Sequence, residues 1–151
     1  MTPLSVSLIG SLRQHYADIR KAARIFTSAG MTVKSPPSSR IIDPQRDYVR
    51  FDADPPEATD LEIQARTFKN IFSSDFVYVV DPGGYIGQMT AYELGRITER
   101  GMPVYYAEPP QGVRIDVPEG TVLSAEELVA GLAQDQVSGA QSSVPRSPHH
   151  Q

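Results

Sequence analysis

Residues 75–106 read DFVYVVDPGGYIGQMTAYELGRITERGMPVYY, and this stretch decides the predicted fold. After Asp75, the run over 76–80 is β-branched and aromatic throughout, which is typical of a central strand in a parallel sheet. A glycine-rich loop follows, then a helix predicted to end near Arg100, and then a strand within PVYYA (103–107). Parallel strands need a long connection between them, so the order strand, helix, strand predicts an α/β fold.

The amino-terminal half repeats this alternation. LSVSLIG (4–10) is predicted to be a buried strand, and an amphipathic helix is expected over 12–29. A short strand over 31–35 follows, and a second helix over 58–73 leads into the central strand. These elements predict an α/β, Rossmann-like parallel sheet of four to five strands with helices on both faces.

The stretch over 35–57 is too broken by proline for regular structure and too long for an ordinary connection. Loops of this kind are often lids. Acidic and basic side chains alternate in it, which usually indicates a solvated loop; they are Asp43, Arg46, Asp47, Arg50, Asp52 and Asp54.

The carboxyl-terminal part yields three expectations. Residues 113–116 are a candidate fifth strand, and the capping box formed by Ser124 and Glu127 predicts a final short helix. From Asp135 onward the chain is polar and rich in serine and proline. The sequence therefore predicts one domain over 1–134 and a disordered tail over 135–151.

Composition limits the function. The net charge of −4 argues against nucleic-acid and membrane-surface binders, whose footprint is basic. Without cysteine or a cluster of histidine and carboxylates at ligand spacing, no metal is expected, and the absence of a dinucleotide fingerprint predicts no cofactor. No apolar run is long enough to span a membrane, and no signal peptide is recognised at the amino end. We expect a cytoplasmic protein with a small-molecule ligand.

Ligands of parallel sheets bind beyond the carboxyl ends of the strands. This rule selects the loop after the first strand, the long loop over 35–57 and the loop over 81–87 as candidate binding segments. It excludes Asp75, which begins its strand.

The first of these loops, IGSLR, places glycine and serine where a strand turns into a helix. Free N–H groups and the positive end of the helix dipole favour an anion there. The candidate binding residues are Gly10, Ser11, Leu12 and Arg13. Arg13 can add a bidentate phosphate contact. In the alternative interpretation, Gly10 only permits a tight turn and Arg13 is a solvated surface residue.

The third loop is followed by a single glutamate, Glu93. Its glycines permit positive φ angles or the close approach of a substrate, so the candidate binding residues are Gly83, Gly84, Tyr85 and Gly87. TAYE also fits a capping box, in which Thr90 is the N-cap and Glu93 only caps the helix. If the helix instead starts near Gln88, Glu93 is free to face the ligand.

The GSLR turn together with residues 75–106 resembles the nucleoside 2-deoxyribosyltransferase-like superfamily, which includes 2′-deoxynucleoside 5′-monophosphate N-glycosidases. The resemblance covers roughly 4–107. PGGYIG followed by Glu93 is also similar to the PGGxGTxxE motif of cytokinin-activating phosphoribohydrolases. The resemblance implies cleavage of a base–sugar bond by Glu93, binding of a 5′-phosphate by residues 10–13, and assembly into a homodimer or higher homo-oligomer.

Physical chemistry supports this role for Glu93. Breaking a ribosyl–base bond builds positive charge on C1′, which a carboxylate can stabilise or capture. The amino end of the helix is expected to keep this carboxylate ionised. Asp81 or an aspartate of the 35–57 loop is the candidate for protonating or hydrogen-bonding the departing base.

The sequence departs from the family pattern at three positions. Ser7 stands where family members carry a tyrosine, Thr67 where an acidic residue is expected, and Gly87 where a polar residue is expected. Two alternatives therefore stay open beside an N-glycosidase or deoxyribosyltransferase: a non-catalytic nucleotide-binding or sensing module on the same fold, and a structural protein in which Glu93 is only a cap.

Overall fold

The fold is taken from a computed structural model, which describes residues 3–38, 41–43 and 49–141. In chain order the elements are β1 (Ser5–Gly10), α1 (Tyr16–Ser28), β2 (Thr32–Ser35), β3 (Ile41–Asp43), β4 (Arg50–Phe51), α2 (Asp60–Phe72), β5 (Phe76–Val80), α3 (Gln88–Glu99), β6 (Val104–Tyr106) and α4 (Ala125–Gln141). A single 3₁₀ turn, Pro82–Gly84, follows β5.

The predicted sheet is confirmed. Four parallel strands pair in the order β2-β1-β5-β6, so the two most buried strands lie at the centre. One face of the sheet packs on α1 and α4 through a core that includes Phe26 and Leu128. The other face packs on α2 and α3 through Ile71 and Leu94. The molecule is thus an α/β, Rossmann-like domain with helices on both faces of the sheet.

The first helix starts later than the predicted residue 12. Residues 11–14 form a turn in which the Ser11 carbonyl accepts the His15 N–H at 2.8 Å, and the Ser11 hydroxyl accepts the Gln14 N–H at 3.1 Å. Helix α1 therefore begins at Tyr16, and residues 11–14 remain at the edge of the sheet as a loop.

The expectation that 35–57 lacks regular structure is wrong in part. β3 and β4 pair as a short antiparallel hairpin, separate from the main sheet. Nor is the loop simply solvated, because Arg50 donates to Asp60 of α2 at 2.7 Å. Two of its predicted charges, Arg46 and Asp47, lie outside the described residues.

The expectation of a fifth strand at 113–116 is also wrong. That segment has no strand pairing, although its Ile115 side chain and that of the adjacent Val117 pack on the α2–α3 core. The chain instead meets the sheet at Val122, which forms an isolated parallel bridge with Tyr106. Val122 is therefore the residue that extends the sheet edge.

The capping box at Ser124 is confirmed, since the Ser124 hydroxyl accepts the Glu127 N–H and the Glu127 carboxylate accepts the Ser124 N–H. However, α4 continues to Gln141, so the disorder predicted from Asp135 onward is wrong for residues 135–141. These residues lack proline and include alanine and glutamine, which favour helix. The rest of the predicted tail, 142–151, lies outside the described residues.

Within the described part of the chain, no helix is both long and apolar enough to cross a bilayer.

Candidate functional site

A cavity of about 570 Å³ lies at the carboxyl ends of β1 and β2, the edge that the topology predicts. Its walls come from the turn after β1, the segment that includes β4, helix α2, the end of the glycine loop and the first turns of α3. Of the residues proposed from sequence, it is lined by Gly10, Ser11, Leu12, Arg13, Tyr85, Gly87 and Glu93. The loop expected to bind an anion and the glutamate expected to perform chemistry therefore share one cavity.

Gly10 has a packing role in this wall. A Cβ atom at this position would lie 2.5 Å from the Val80 carbonyl oxygen, well inside van der Waals contact. Only glycine lets the end of β1 approach the end of β5 so closely. Arg13, three residues later, is exposed and also lines the cavity. The turn that follows β1 therefore brings an arginine to the cavity wall.

Glu93 does not cap α3. The helix begins at Gln88 with Gly87 as its N-cap, so the third helical residue is Thr90, and Glu93 is the sixth. The capping-box interpretation is therefore wrong, and the carboxylate lines the cavity instead. Among the described residues, no hydrogen bond or ion pair to this carboxylate is formed.

Burial raises the pKa of Glu93 to about 7. Water can still touch the side chain through the cavity, but protein surrounds it on nearly every side. The expectation that the helix amino end keeps it ionised is wrong, because the dipole acts within the first turn and Glu93 lies beyond it. At neutral pH the carboxyl is thus divided between its charged and neutral forms.

Asp81 does not line the cavity, so its predicted role in protonating the departing base is wrong. It is fully buried behind the glycine turn, where its Oδ1 accepts the Glu108 N–H at 3.0 Å. Burial, opposed by backbone hydrogen bonds and reinforced by the charge of Glu108, raises the pKa of Asp81 to about 7.

Gly83 and Gly84 also lie outside the cavity lining, and the structure gives them a different task. Both have positive φ angles, 67° and 81°. A Cβ atom on Gly84 would lie 2.4 Å from the Pro109 carbonyl oxygen. Gly84 therefore lets the 107–111 segment pack against the turn, and Gly83 supplies the positive φ angle of the turn. The predicted contact of these two glycines with substrate is not made by this arrangement.

Tyr85 stands at the cavity mouth and is 44% exposed. The Gln14 side-chain amide donates to its hydroxyl at 3.4 Å, and the His15 ring contacts it edge-on with 6.0 Å between centroids. Tyr85 thus joins the glycine loop to the turn after β1.

The sequence interpretation missed the part that α2 plays. Its cavity face carries Ile63, Arg66, Thr67, Asn70 and Ile71. Their spacing of three and four residues could have identified this face on a helical projection. Nothing in the local sequence indicated that Arg66 pairs with Asp54, a residue of the 35–57 loop that also lines the cavity.

The three positions that depart from the family pattern lie in different places. Thr67 and Gly87 line the cavity, whereas Ser7 is fully buried in β1, where its hydroxyl meets that of Ser74 at 2.6 Å. No protein-family model, curated protein or solved structure matches this chain. The case for a function therefore depends on the sequence resemblance and on the chemistry of the cavity.

Proposed function

We propose that this protein is an N-glycosidase or deoxyribosyltransferase that breaks the base–sugar bond of a nucleoside or nucleoside 5′-monophosphate. One observation carries the proposal: Glu93 lines the same cavity as the Gly10–Arg13 turn. The turn suits a phosphate, because it follows the end of β1, leads into the amino end of α1 and contains an arginine. The glutamate suits the sugar, because a carboxylate stabilises positive charge at C1′.

In the proposed reaction the C1′–N bond breaks while a Glu93 oxygen bonds to C1′ or faces it as a counter-charge. The base takes the bonding electrons and a proton from solvent. Water then adds to C1′ and returns a proton to solvent, or a second base adds with loss of its N–H proton, and any bond between Glu93 and C1′ breaks in this step. Only the ionised form of Glu93 can act in this way. Its raised pKa therefore makes the reaction faster above pH 7 than below it.

Asp54 is the aspartate of the 35–57 loop that the described structure places in the cavity wall. It accepts the Phe51 N–H at 2.8 Å and a hydrogen bond from Arg66. We therefore assign Asp54 to the cavity wall and not to protonation of the base.

A specific observation favours a second candidate, a non-catalytic nucleotide-binding module. Asp81 lies outside the cavity and Asp54 is engaged by Arg66, so Glu93 has no second free carboxylate beside it among the described residues. A site that only binds needs no such pair. Binding without release of a base would support this candidate.

Two further parts of the proposal are a cytoplasmic location, which rests on the absence of a recognisable signal peptide, and assembly into a homodimer or higher oligomer, which the resemblance implies. Light scattering coupled to size-exclusion chromatography tests the assembly. A monomer at micromolar concentration would contradict it.

The deciding experiment is incubation with matched nucleosides and nucleoside 5′-monophosphates, followed by chromatography for free base. Glu93→Gln should lower base release at least about a hundredfold, the lower range for loss of a main electrostatic group, while ligand binding persists. Glu99→Gln is the matched control, because Glu99 lies on the same helix, is exposed and does not line the cavity. Equal activity in the two variants would overturn the proposal.

A further inference from the structure

The carboxyl of Asp81 is unusual because it is fully buried with one oxygen unsatisfied. Oδ1 accepts the Glu108 N–H, but within the described chain Oδ2 is buried and has no hydrogen-bond partner. A buried acceptor without a donor is costly, and a buried charge without one costs more. The environment of the Asp81 carboxyl, directly after β5, therefore destabilises its ionised form.

Asp81 belongs to a closed set of contacts, which we call the Asp81 latch: Asp81, Gly83, Gly84, Glu108 and Gln111. The Gly84 N–H donates to the Asp81 carbonyl at 2.7 Å, and the Gly83 N–H donates to the Glu108 carboxylate at 3.0 Å. The Gln111 N–H donates to the Gly84 carbonyl at 2.8 Å. The latch thus holds the glycine turn against the segment that follows β6.

The latch adjoins the cavity through the next residue of the chain. Tyr85 follows Gly84 directly, and its N–H donates to the Pro82 carbonyl at 3.3 Å. Its ring is part of the cavity wall, and two residues later Gly87 is the N-cap of the helix that carries Glu93. A displacement of the glycine turn therefore moves the cavity mouth.

We propose that Asp81 is a positioning residue that acts through the glycine turn: its protonated form keeps the latch closed, and loss of the proton opens the latch and displaces Tyr85. The effect on catalysis rests on the proposed function. The latch itself is independent of the proposed function, since it is defined by contacts outside the cavity.

The charges around Asp81 favour opening on ionisation. The titratable groups that face it are Tyr78 from β5, Tyr106 from β6 and Glu108 from the segment after β6. An ionised Asp81 is a better acceptor for the Glu108 N–H, but desolvation is the larger effect and the Glu108 carboxylate repels it. Opening relieves both costs, because water then reaches the carboxylate.

Amide hydrogen exchange tests the latch without any ligand. In the closed state the pKa of Asp81 is about 7, whereas in an open, solvated state it returns to about 3.9. Between these values the opening equilibrium rises about tenfold per pH unit, in addition to the roughly tenfold rise of base-catalysed exchange. The logarithm of the exchange rate should therefore rise with a slope of about 2 below pH 7 and about 1 above it.

The amides to follow are those of Gly84, Tyr85 and Gln111. The Ala58 amide is the matched control, since it closes a turn onto Pro55 that does not involve Asp81, and its slope should stay near 1 at all pH values. Asp81→Asn should abolish the break at the latch amides. Glu108→Gln should move the break to lower pH, because it removes the repelling charge but keeps an acceptor for Gly83.

A single slope in the wild-type protein, or a break that survives in Asp81→Asn, would overturn the proposal. If Asp81→Asn does not fold, Glu108→Gln decides, and an unmoved break contradicts the latch. Because exchange is measured on the free protein, absence of base release affects the proposed function and leaves this result unchanged.

Discussion

The Arg66 guanidinium of α2 donates a hydrogen bond to the Asp54 carboxylate, and the same carboxylate accepts the Phe51 N–H from β4. Asp54 is almost fully buried while Arg66 is half-exposed. This pair fixes the segment after β4 onto α2, so one wall of the cavity is held by a charge contact between residues twelve positions apart.

Asp54→Ala should therefore destabilise the protein by about 1–3 kcal/mol, since it leaves the Phe51 N–H and the Arg66 guanidinium without their acceptor. Chemical denaturation measures the change. Asp52→Ala is the control, because Asp52 is exposed on the same segment. A double-mutant cycle with Arg66→Ala should show coupling between the two residues, and additive losses would contradict the pairing.

Glu93 should make the protein less stable as pH rises. Its folded-state pKa of about 7 lies above its ordinary value, so the folded state holds the proton more tightly. The free energy of unfolding then falls from about pH 4.5 to about pH 7 and levels off above. Glu93→Gln should remove this loss and stabilise the protein at pH 8 by on the order of 1–3 kcal/mol. Thermal denaturation at pH 5 and pH 8 measures the effect, and an equal gain at the two pH values would show that the pKa of Glu93 is not raised in the folded state.

If Glu93 stabilises the sugar cation, base release should rise with pH through about 7, where its carboxyl loses its proton. The measurement is kcat/KM between pH 5 and pH 9 with one nucleoside 5′-monophosphate. A rate that falls over this range would assign Glu93 the role of a proton donor.

Arg13→Ala should weaken binding of a nucleoside 5′-monophosphate by about 1.5–3 kcal/mol while changing affinity for the matching nucleoside little. The physical reason is the loss of one charged hydrogen bond to the phosphate. Calorimetric titration of both ligands measures the difference. Arg24→Ala on the exposed side of α1 is the control, and equal weakening of both ligands by Arg13→Ala would remove phosphate recognition from this turn.

Removal of residues 135–151 should leave the thermal midpoint nearly unchanged, because the α4 residues described as packing on the core all precede the cut; they are Ala125, Leu128, Val129 and Leu132. Leu128→Ala, by contrast, should cost about 2–5 kcal/mol, as expected for a cavity in a packed core. Calorimetry compares the two variants. A loss of several degrees on truncation would show that residues after 134 pack on the domain or on another subunit.

The sequence by itself determined the chain order of the helices and of the strands of the main sheet, the parallel sheet and the edge at which the cavity lies. These follow from local periodicity and from topology, which need no knowledge of distant contacts. The capping box at Ser124 belongs to the same class, because its hydrogen bonds span only three residues.

Tertiary structure decided which side chains face the cavity and in what charge state. Asp81 and Glu93 are both acidic residues near one glycine loop, yet one lies behind the turn and the other lines the cavity. Their separation depends on where α3 begins and on the 107–111 segment, which covers Asp81 from more than 25 residues away. The pairing of β3 with β4 and the contacts of Arg50 and Asp54 with α2 likewise join parts of the chain that no local pattern connects. Burial and long-range pairing arise only when distant segments pack together, so their effects on pKa and position are absent from any local stretch of sequence.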